Sequence, residues 1–144
     1  QALGQYARYD SALPEHLSEL AILVTARYWS SGFEWSHHAP IALQVGVPEQ
    51  AVTAIAHARQ AEFDDPQMQA VFDFAVDLHL NKKVSDKGYD GAHAALGVQA
   101  CVDLVGICGY YTLISMTINV FDVEDGDGPT LPKLDMPIAA YFRN

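Results

Sequence analysis

Apolar residues recur at spacings of three and four along most of the chain, which is the pattern of amphipathic α-helices, and strand-like alternation is scarce. The first such segment, residues 14–29, begins at Pro14, a residue that suits the first turn of a helix. A second segment runs from about Phe33 to Val45 and ends at Gly46, a natural C-terminal cap. The pattern therefore predicts two helices separated by "SSG" at residues 30–32.

Four further helices follow in the same pattern. Their predicted ranges are 48–60, 66–83 after an Asp65 cap, 86–96 after a Ser85 cap, and 98–121. The last is apolar nearly all round, which is typical of a central helix or a subunit interface. Residues 122–137 are acidic and rich in Pro and Gly, which predicts an extended segment wrapped on a surface. We expect an all-α single-domain bundle of about six helices over residues 1–144, with a core at about 14–125 and a tail at 122–144.

Composition narrows the possible partners. The chain has 144 residues, a formal charge of −10 and 50% hydrophobic residues, and no basic cluster that could bind nucleic acid phosphates or an anionic membrane surface. The apolar run at 104–118 is shorter than the roughly 20 residues that span a bilayer. Residues 1–13 lack a signal-peptide pattern, so we expect a cytoplasmic protein. Because of the negative charge and the short apolar run, we expect it to bind neither nucleic acid nor membrane.

The two cysteines, Cys101 and Cys108, lie seven positions apart in an apolar segment. On a helix they would share a face but lie too far apart to form a disulfide. With no CxxC motif and no zinc framework, we expect buried, reduced thiols.

The stretch "SSGFEWSHHAP" at residues 30–40 carries the candidate chemistry. Glu34 and His38 are four positions apart, so on a helix their side chains meet. A carboxylate that contacts an imidazole orients the ring and raises its pKa, which gives a general acid or base near neutral pH. Glu19 is one of the few charges in the preceding apolar helix, and His38 is a plausible partner for it across the helix pair.

Pro40 lies inside the second predicted helix. It cannot donate a hydrogen bond to the carbonyl of Ser36, so one backbone acceptor is freed beside the Glu/His cluster. Two interpretations stand: a tolerated bend, or a bend that shapes a pocket.

The stretch "SELAILVTARYWSSGFEWSHHAPIALQVGVP" resembles the carboxymuconolactone decarboxylase family, whose superfamily includes alkylhydroperoxidase D. "FAVDLHLNKKVSD" and "LVGICGYYTLISMTINVFDVE" also fit the family pattern, so the resemblance covers about residues 14–125. It implies an alkylhydroperoxidase D-like (AhpD-like) all-α fold that assembles as a homotrimer or homohexamer.

The resemblance also implies site residues. Glu19 and His38 match the Glu and His of the peroxidase branch, whereas its two redox cysteines fall on Ser31 and Glu34, so thiol peroxidase chemistry is not expected. The decarboxylase-like branch fits better and implies cofactor-free acid/base chemistry on a small organic acid or lactone. In that interpretation His38 transfers the proton, Glu34 orients the ring or shuttles the proton, and Glu19 holds the far side of the ring.

Substrate contacts are predicted for His37, Trp35 and Arg27, and for His37 the alternative is that it caps a neighbouring residue. Arg27 is the best candidate to bind a substrate carboxylate, because it lies two helical turns beyond Glu19. It could equally pair with a neighbouring residue or a subunit partner.

Two rival interpretations remain open. The first is a metal site built on Glu34, His37, Asp90 and His93, completed by carboxylates among Asp73, Asp77 and Asp103; we expect no metal. The second is a non-catalytic oligomer that binds a small molecule in an aromatic pocket. Its candidate lining is Phe33, Trp29, Trp35, Tyr110 and Tyr111. His16, His57 and His79 are interpreted as surface or helix-edge residues.

Overall fold

The computed structural model describes residues 2–140 and 142, and within them it contains helices and no strand. The α-helices are α1 (Ala2–Gln5), α2 (Glu15–Tyr28), α3 (Gly32–Gln44), α4 (Glu49–Ala56), α5 (Pro66–Asn81), α6 (Asp86–Leu96) and α7 (Val98–Val120). A π-helical turn, Tyr6–Asp10, follows α1, and a short 3-10 helix spans Ile138–Ala140. The all-α prediction is confirmed, and the N-terminal α1 and π turn are helices that the sequence pattern did not predict.

The helix ends follow the predicted local chemistry. The Asp65 side chain accepts hydrogen bonds from the backbone N–H groups of Gln67 and Met68, and the Ser85 hydroxyl accepts one from Gly88. Gly46 follows α3 with φ +105°, a conformation that residues with a β-carbon rarely adopt. Helix α4 ends at Ala56, four residues before the predicted end, because the chain turns at His57.

Helix α2 is the centre of the bundle. It packs against α3, α5 and α7, and it is buried continuously from Leu17 to Arg27. The sequence pattern left two positions open for the last helix, the centre of the bundle or a subunit interface. Helix α7 instead leaves several large apolar side chains exposed, among them Val102, Val105 and Leu113.

Helix α7 has 23 residues and is long and apolar enough, by length and composition, to cross a membrane. The apolar run at 104–118 is thus only part of a longer helix, and the expectation that it is too short to span a bilayer holds for the run alone. A buried helix in the core of a soluble protein can have the same length and apolar composition. Asp103 in α7 is buried and accepts hydrogen bonds from the Tyr6 hydroxyl at 2.7 Å and from the Ala12 N–H at 2.6 Å.

Residues 122–137, here called the strap, run without regular structure beside the turn between α2 and α3. Within the strap, the Gly126 N–H donates to the Ser36 hydroxyl at 3.1 Å. Further along, the Pro132 carbonyl accepts a 2.6 Å hydrogen bond from Arg27. The strap is therefore tied to both α2 and α3.

Candidate functional site

Three side chains meet where α2 packs on α3. Nδ1 of His38 lies 2.8 Å from Oε2 of Glu19, and Nε2 of His38 lies 3.2 Å from Oε2 of Glu34. Glu34 reaches His38 because the two are one helical turn apart on α3, whereas Glu19 reaches it across the helix interface. Both ring nitrogens of His38 therefore face a carboxylate.

This triad is buried: His38 is 2% exposed, Glu34 6% and Glu19 8%. Burial lowers the pKa of His38, but hydrogen bonds to Glu19 and Glu34 and the charges of both carboxylates outweigh it. The pKa of His38 is therefore raised above its ordinary value of 6.5, so both carboxylates favour the protonated ring. A buried, fixed imidazole whose protonated form is favoured by its neighbours suits general acid catalysis.

A cavity of about 220 Å³ opens beside this triad between α3 and α7. It is lined by Phe33, Glu34, His37, His38, Tyr110, Tyr111 and Ile114. The ring of Tyr111 meets the ring of His38 edge-on, with centroids 5.1 Å apart, so α7 also fixes the imidazole. The carboxylate of Glu34 belongs to the cavity wall, whereas Glu19 is not among the lining residues and contacts the other ring nitrogen.

The predicted substrate contacts divide into two groups. His37 is exposed, lines the cavity and stacks edge-on against His38 at 4.9 Å. Trp35 is 2% exposed and belongs to the hydrophobic core, so it does not line this cavity. Successive positions on α3 point to different sides of the helix, and Trp35 points into the bundle.

The structure does not bring Arg27 to the cavity. Its Nη1 donates to the carbonyls of Ala56 at 3.0 Å and Pro132 at 2.6 Å, and Nη2 donates to the Ser30 hydroxyl at 2.7 Å. The guanidinium thus joins the ends of α2 and α4 to the strap. The expectation that it binds a substrate carboxylate beside His38 is not supported by this position.

The aromatic lining was only partly predicted. Phe33, Tyr110 and Tyr111 do line the cavity, but Trp29 donates its Nε1–H to the Thr112 hydroxyl at 3.1 Å instead. Ile114 was missed. It follows Tyr110 by four positions, so helical periodicity on α7 could have identified it.

The interpretation of His79 as a surface or edge residue is wrong. It is 7% exposed, stacks on Tyr28, and its Nε2–H donates to the Thr25 hydroxyl at 2.9 Å, which itself donates to the Ala21 carbonyl. Burial, aided by the charge of Lys82, lowers the pKa of His79 to about 4. His79 is therefore neutral at physiological pH.

Cys101 and Cys108 are free and buried in α7, as predicted. Burial raises the pKa of Cys101, and it raises the pKa of Cys108 to about 12. Thiols held in the protonated form are poor nucleophiles. Neither cysteine lines the cavity beside His38.

No group of three or more His, Cys, Asp or Glu side chains that could hold a metal ion occurs in the part of the chain that the structure describes. Asp90 and His93, the second half of the metal site considered above, are exposed on α6, where His93 stacks on Tyr89. They therefore add no metal ligands to Glu34 and His37.

In a comparison with known families, the model of the carboxymuconolactone decarboxylase family matches residues 1–77. This is more than half of the 144 residues, and it includes Glu19, Glu34 and His38. The match begins before the resemblance seen in the sequence and ends within α5, so it does not include the later motifs or the tyrosines of α7. Comparisons with curated proteins and with solved structures found no match.

Proposed function

Because the chain belongs to the carboxymuconolactone decarboxylase family, we propose that it catalyses acid/base chemistry on a small lactone or organic acid. The observation that carries this proposal is His38, a buried imidazole with a carboxylate on each ring nitrogen and a cavity beside it. Such an arrangement fixes the ring, maintains its charge and presents it to a bound molecule.

Each triad residue has a separate role in this proposal. Glu19 accepts a hydrogen bond from Nδ1–H of His38 and holds the imidazolium from the side away from the cavity. Glu34 contacts Nε2 and lines the cavity, so it shuttles the proton between His38 and the substrate or orients Nε2 toward it. His37 contacts the bound molecule from the exposed side of α3.

For a carboxylated lactone, the reaction is a decarboxylation. The bond between the ring carbon and the carboxylate breaks, carbon dioxide leaves, and the electron pair forms an enolate conjugated with the lactone carbonyl. The enolate carbon then takes a proton from the His38–Glu34 pair, which regains one from water. For a lactone without a carboxylate, Glu34 takes a proton from the carbon next to the carbonyl, the electron pair of the C–H bond forms the enolate, and the His38–Glu34 pair returns a proton to that carbon.

Thiol peroxidase activity is the alternative that family membership raises, and it is disfavoured by the buried, protonated cysteines. Non-catalytic binding of a small molecule is the other alternative, and it is favoured by the aromatic walls formed by Phe33, Tyr110 and Tyr111. Acid/base catalysis and non-catalytic binding differ in whether a bound lactone is turned over.

We also propose that the chain self-associates as a homotrimer or homohexamer through the exposed apolar side chains of α7. Val98, Val102, Val105, Leu113 and Val120 are each at least half exposed. Light scattering tests this, and a monomeric mass would contradict it. A cytoplasmic location, and the expectation that the protein binds neither nucleic acid nor membrane, remain predictions from composition.

The test of the proposed function is turnover of γ-carboxymuconolactone and small lactones, each carboxylate compared with its methyl ester. The wild-type protein is compared with Glu34→Gln and His38→Ala, and Glu15→Gln is the control because Glu15 is exposed on α2. We expect turnover by the wild type and the control and its loss in both site variants. Turnover by His38→Ala at the rate of the wild-type protein would refute the proposal.

A further inference from the structure

The strap contacts α3 at the residue that lies between the two catalytic positions of that helix. Ser36 stands two residues after Glu34 and two before His38, and it is 5% exposed. Its hydroxyl donates to the Phe33 carbonyl at 2.9 Å and accepts the Gly126 N–H at 3.1 Å. The strap is thus bonded to α3 within the turn that carries the acid/base pair.

A second contact is made to the backbone of the same residue. A β-carbon built on Gly128 would overlap the carbonyl oxygen of Ser36 and lie 2.7 Å from its carbonyl carbon. Only glycine fits there without a shift of the strap or the helix. Pro40 explains why this carbonyl is approachable, since a proline four residues on has no N–H to donate to it.

The strap is also bonded to α2. Arg27, which is 1% exposed, donates to the Pro132 carbonyl of the strap and to the Ala56 carbonyl at the end of α4. One short segment therefore holds α3 at Ser36 and α2 at Arg27. These two helices carry His38 and Glu19, whose 2.8 Å hydrogen bond crosses the interface between them.

We infer that Ser36, Gly126 and Gly128 are positioning residues: they hold α3 at the distance from α2 that the hydrogen bond between His38 and Glu19 requires. The inference rests on the proposed acid/base role of His38 for its functional meaning. The strap itself contributes no residue to the reacting centre. It sets the geometry of the imidazole through the helix on which the imidazole lies.

The experiment follows the Nδ1–H proton of His38 by NMR in the full chain, at a pH where the ring is protonated. A short hydrogen bond to a carboxylate moves this resonance downfield and slows its exchange with water. In Gly128→Ala the added methyl group pushes the strap off Ser36. We expect the resonance to move upfield and its exchange to accelerate about tenfold or more, because a hydrogen bond to a charged group has been weakened.

Ser36→Ala is the second variant, because it removes the acceptor of the Gly126 N–H without adding volume, and we expect the same change in smaller degree. Gly91→Ala is the matched control: a β-carbon at Gly91 meets nothing within 4 Å, so the resonance should not move. Met68→Ala controls for lost stability, since it removes a buried side chain outside the strap and the triad.

The inference is overturned if folded Gly128→Ala and Ser36→Ala both keep the wild-type resonance, or if Met68→Ala changes it equally. If Gly128→Ala does not fold, Ser36→Ala decides. Because the readout is a hydrogen bond, it is independent of turnover. A protein that shows the expected change but acts on no lactone would refute the proposed function and support the positioning role.

Discussion

Replacing Glu19 by Gln removes the negative charge that faces Nδ1 of His38, while the side chain keeps nearly the same shape. The carboxylate lies 2.8 Å from the ring, and the pair is almost completely buried, so water screens the interaction weakly. An opposite charge this close raises the pKa of a histidine, so we expect the pKa of His38 to fall in Glu19→Gln. Each unit by which the pKa falls corresponds to about 1.4 kcal/mol between the two protonation states.

The same substitution changes how stability depends on pH. The folded pKa of His38 lies above its unfolded value near 6.5, so the folded state binds this proton more tightly. The stabilisation is complete below about pH 6.5 and is lost as the pH rises through the folded pKa. In Glu19→Gln this pH-dependent contribution should shrink, so the fall in stability above about pH 6.5 that is attributable to His38 becomes smaller.

The assay is an NMR titration of the His38 ring, paired with urea unfolding at about pH 6 and about pH 9. Glu15→Gln is the control, because it removes the same charge from an exposed position on α2. If Glu19→Gln retains its fold and the pKa of His38 changes by less than about 0.3 unit, the reasoning from geometry to charge coupling is refuted.

Three further predictions concern buried groups outside the triad. His79 has a folded pKa of about 4, below its unfolded value, so stability should fall by up to about 3 kcal/mol as the pH drops from about 6.5 to 4; urea unfolding of His79→Gln should show a weaker acid dependence. Arg27→Lys should lower the free energy of unfolding by about 2–4 kcal/mol, because an ammonium cannot span the acceptors that the guanidinium reaches; unchanged urea unfolding would contradict this. Cys101→Ser and Cys108→Ser should leave any lactone turnover unchanged, and both native thiols should react with a disulfide reagent only after unfolding; fast native labelling would contradict their burial.

Most of the helix boundaries could be predicted because they depend on local chemistry. Pro14, Asp65 and Ser85 mark helix starts through backbone and side-chain rules that act over a few residues. The contact between Glu34 and His38 follows from helical spacing alone. Glu19 was identified because an isolated carboxylate in an apolar helix needs a polar partner when it is buried.

The residues that sequence reasoning misplaced depend on tertiary packing. Arg27 was expected at the site because it shares a face with Glu19, but helix α4 and the strap offer it carbonyl acceptors nearer its own end of α2. His79 is buried by Tyr28 and Thr25 of α2, which no pattern on α5 reveals. The close approach of Gly128 to Ser36 joins segments far apart in the sequence, so it appears only in the folded chain.

The central claim is that His38, with Glu34, moves protons to and from a molecule bound in the cavity. The most direct measurement is deuterium uptake from D₂O into the carbon next to the carbonyl of small unsaturated lactones, followed by NMR with the wild type, His38→Ala and Glu34→Gln. We expect uptake that is catalysed by the wild type and lost in both variants while their helical content is unchanged. Uptake that persists in His38→Ala, or no catalysed uptake by the wild type with any lactone, would contradict it.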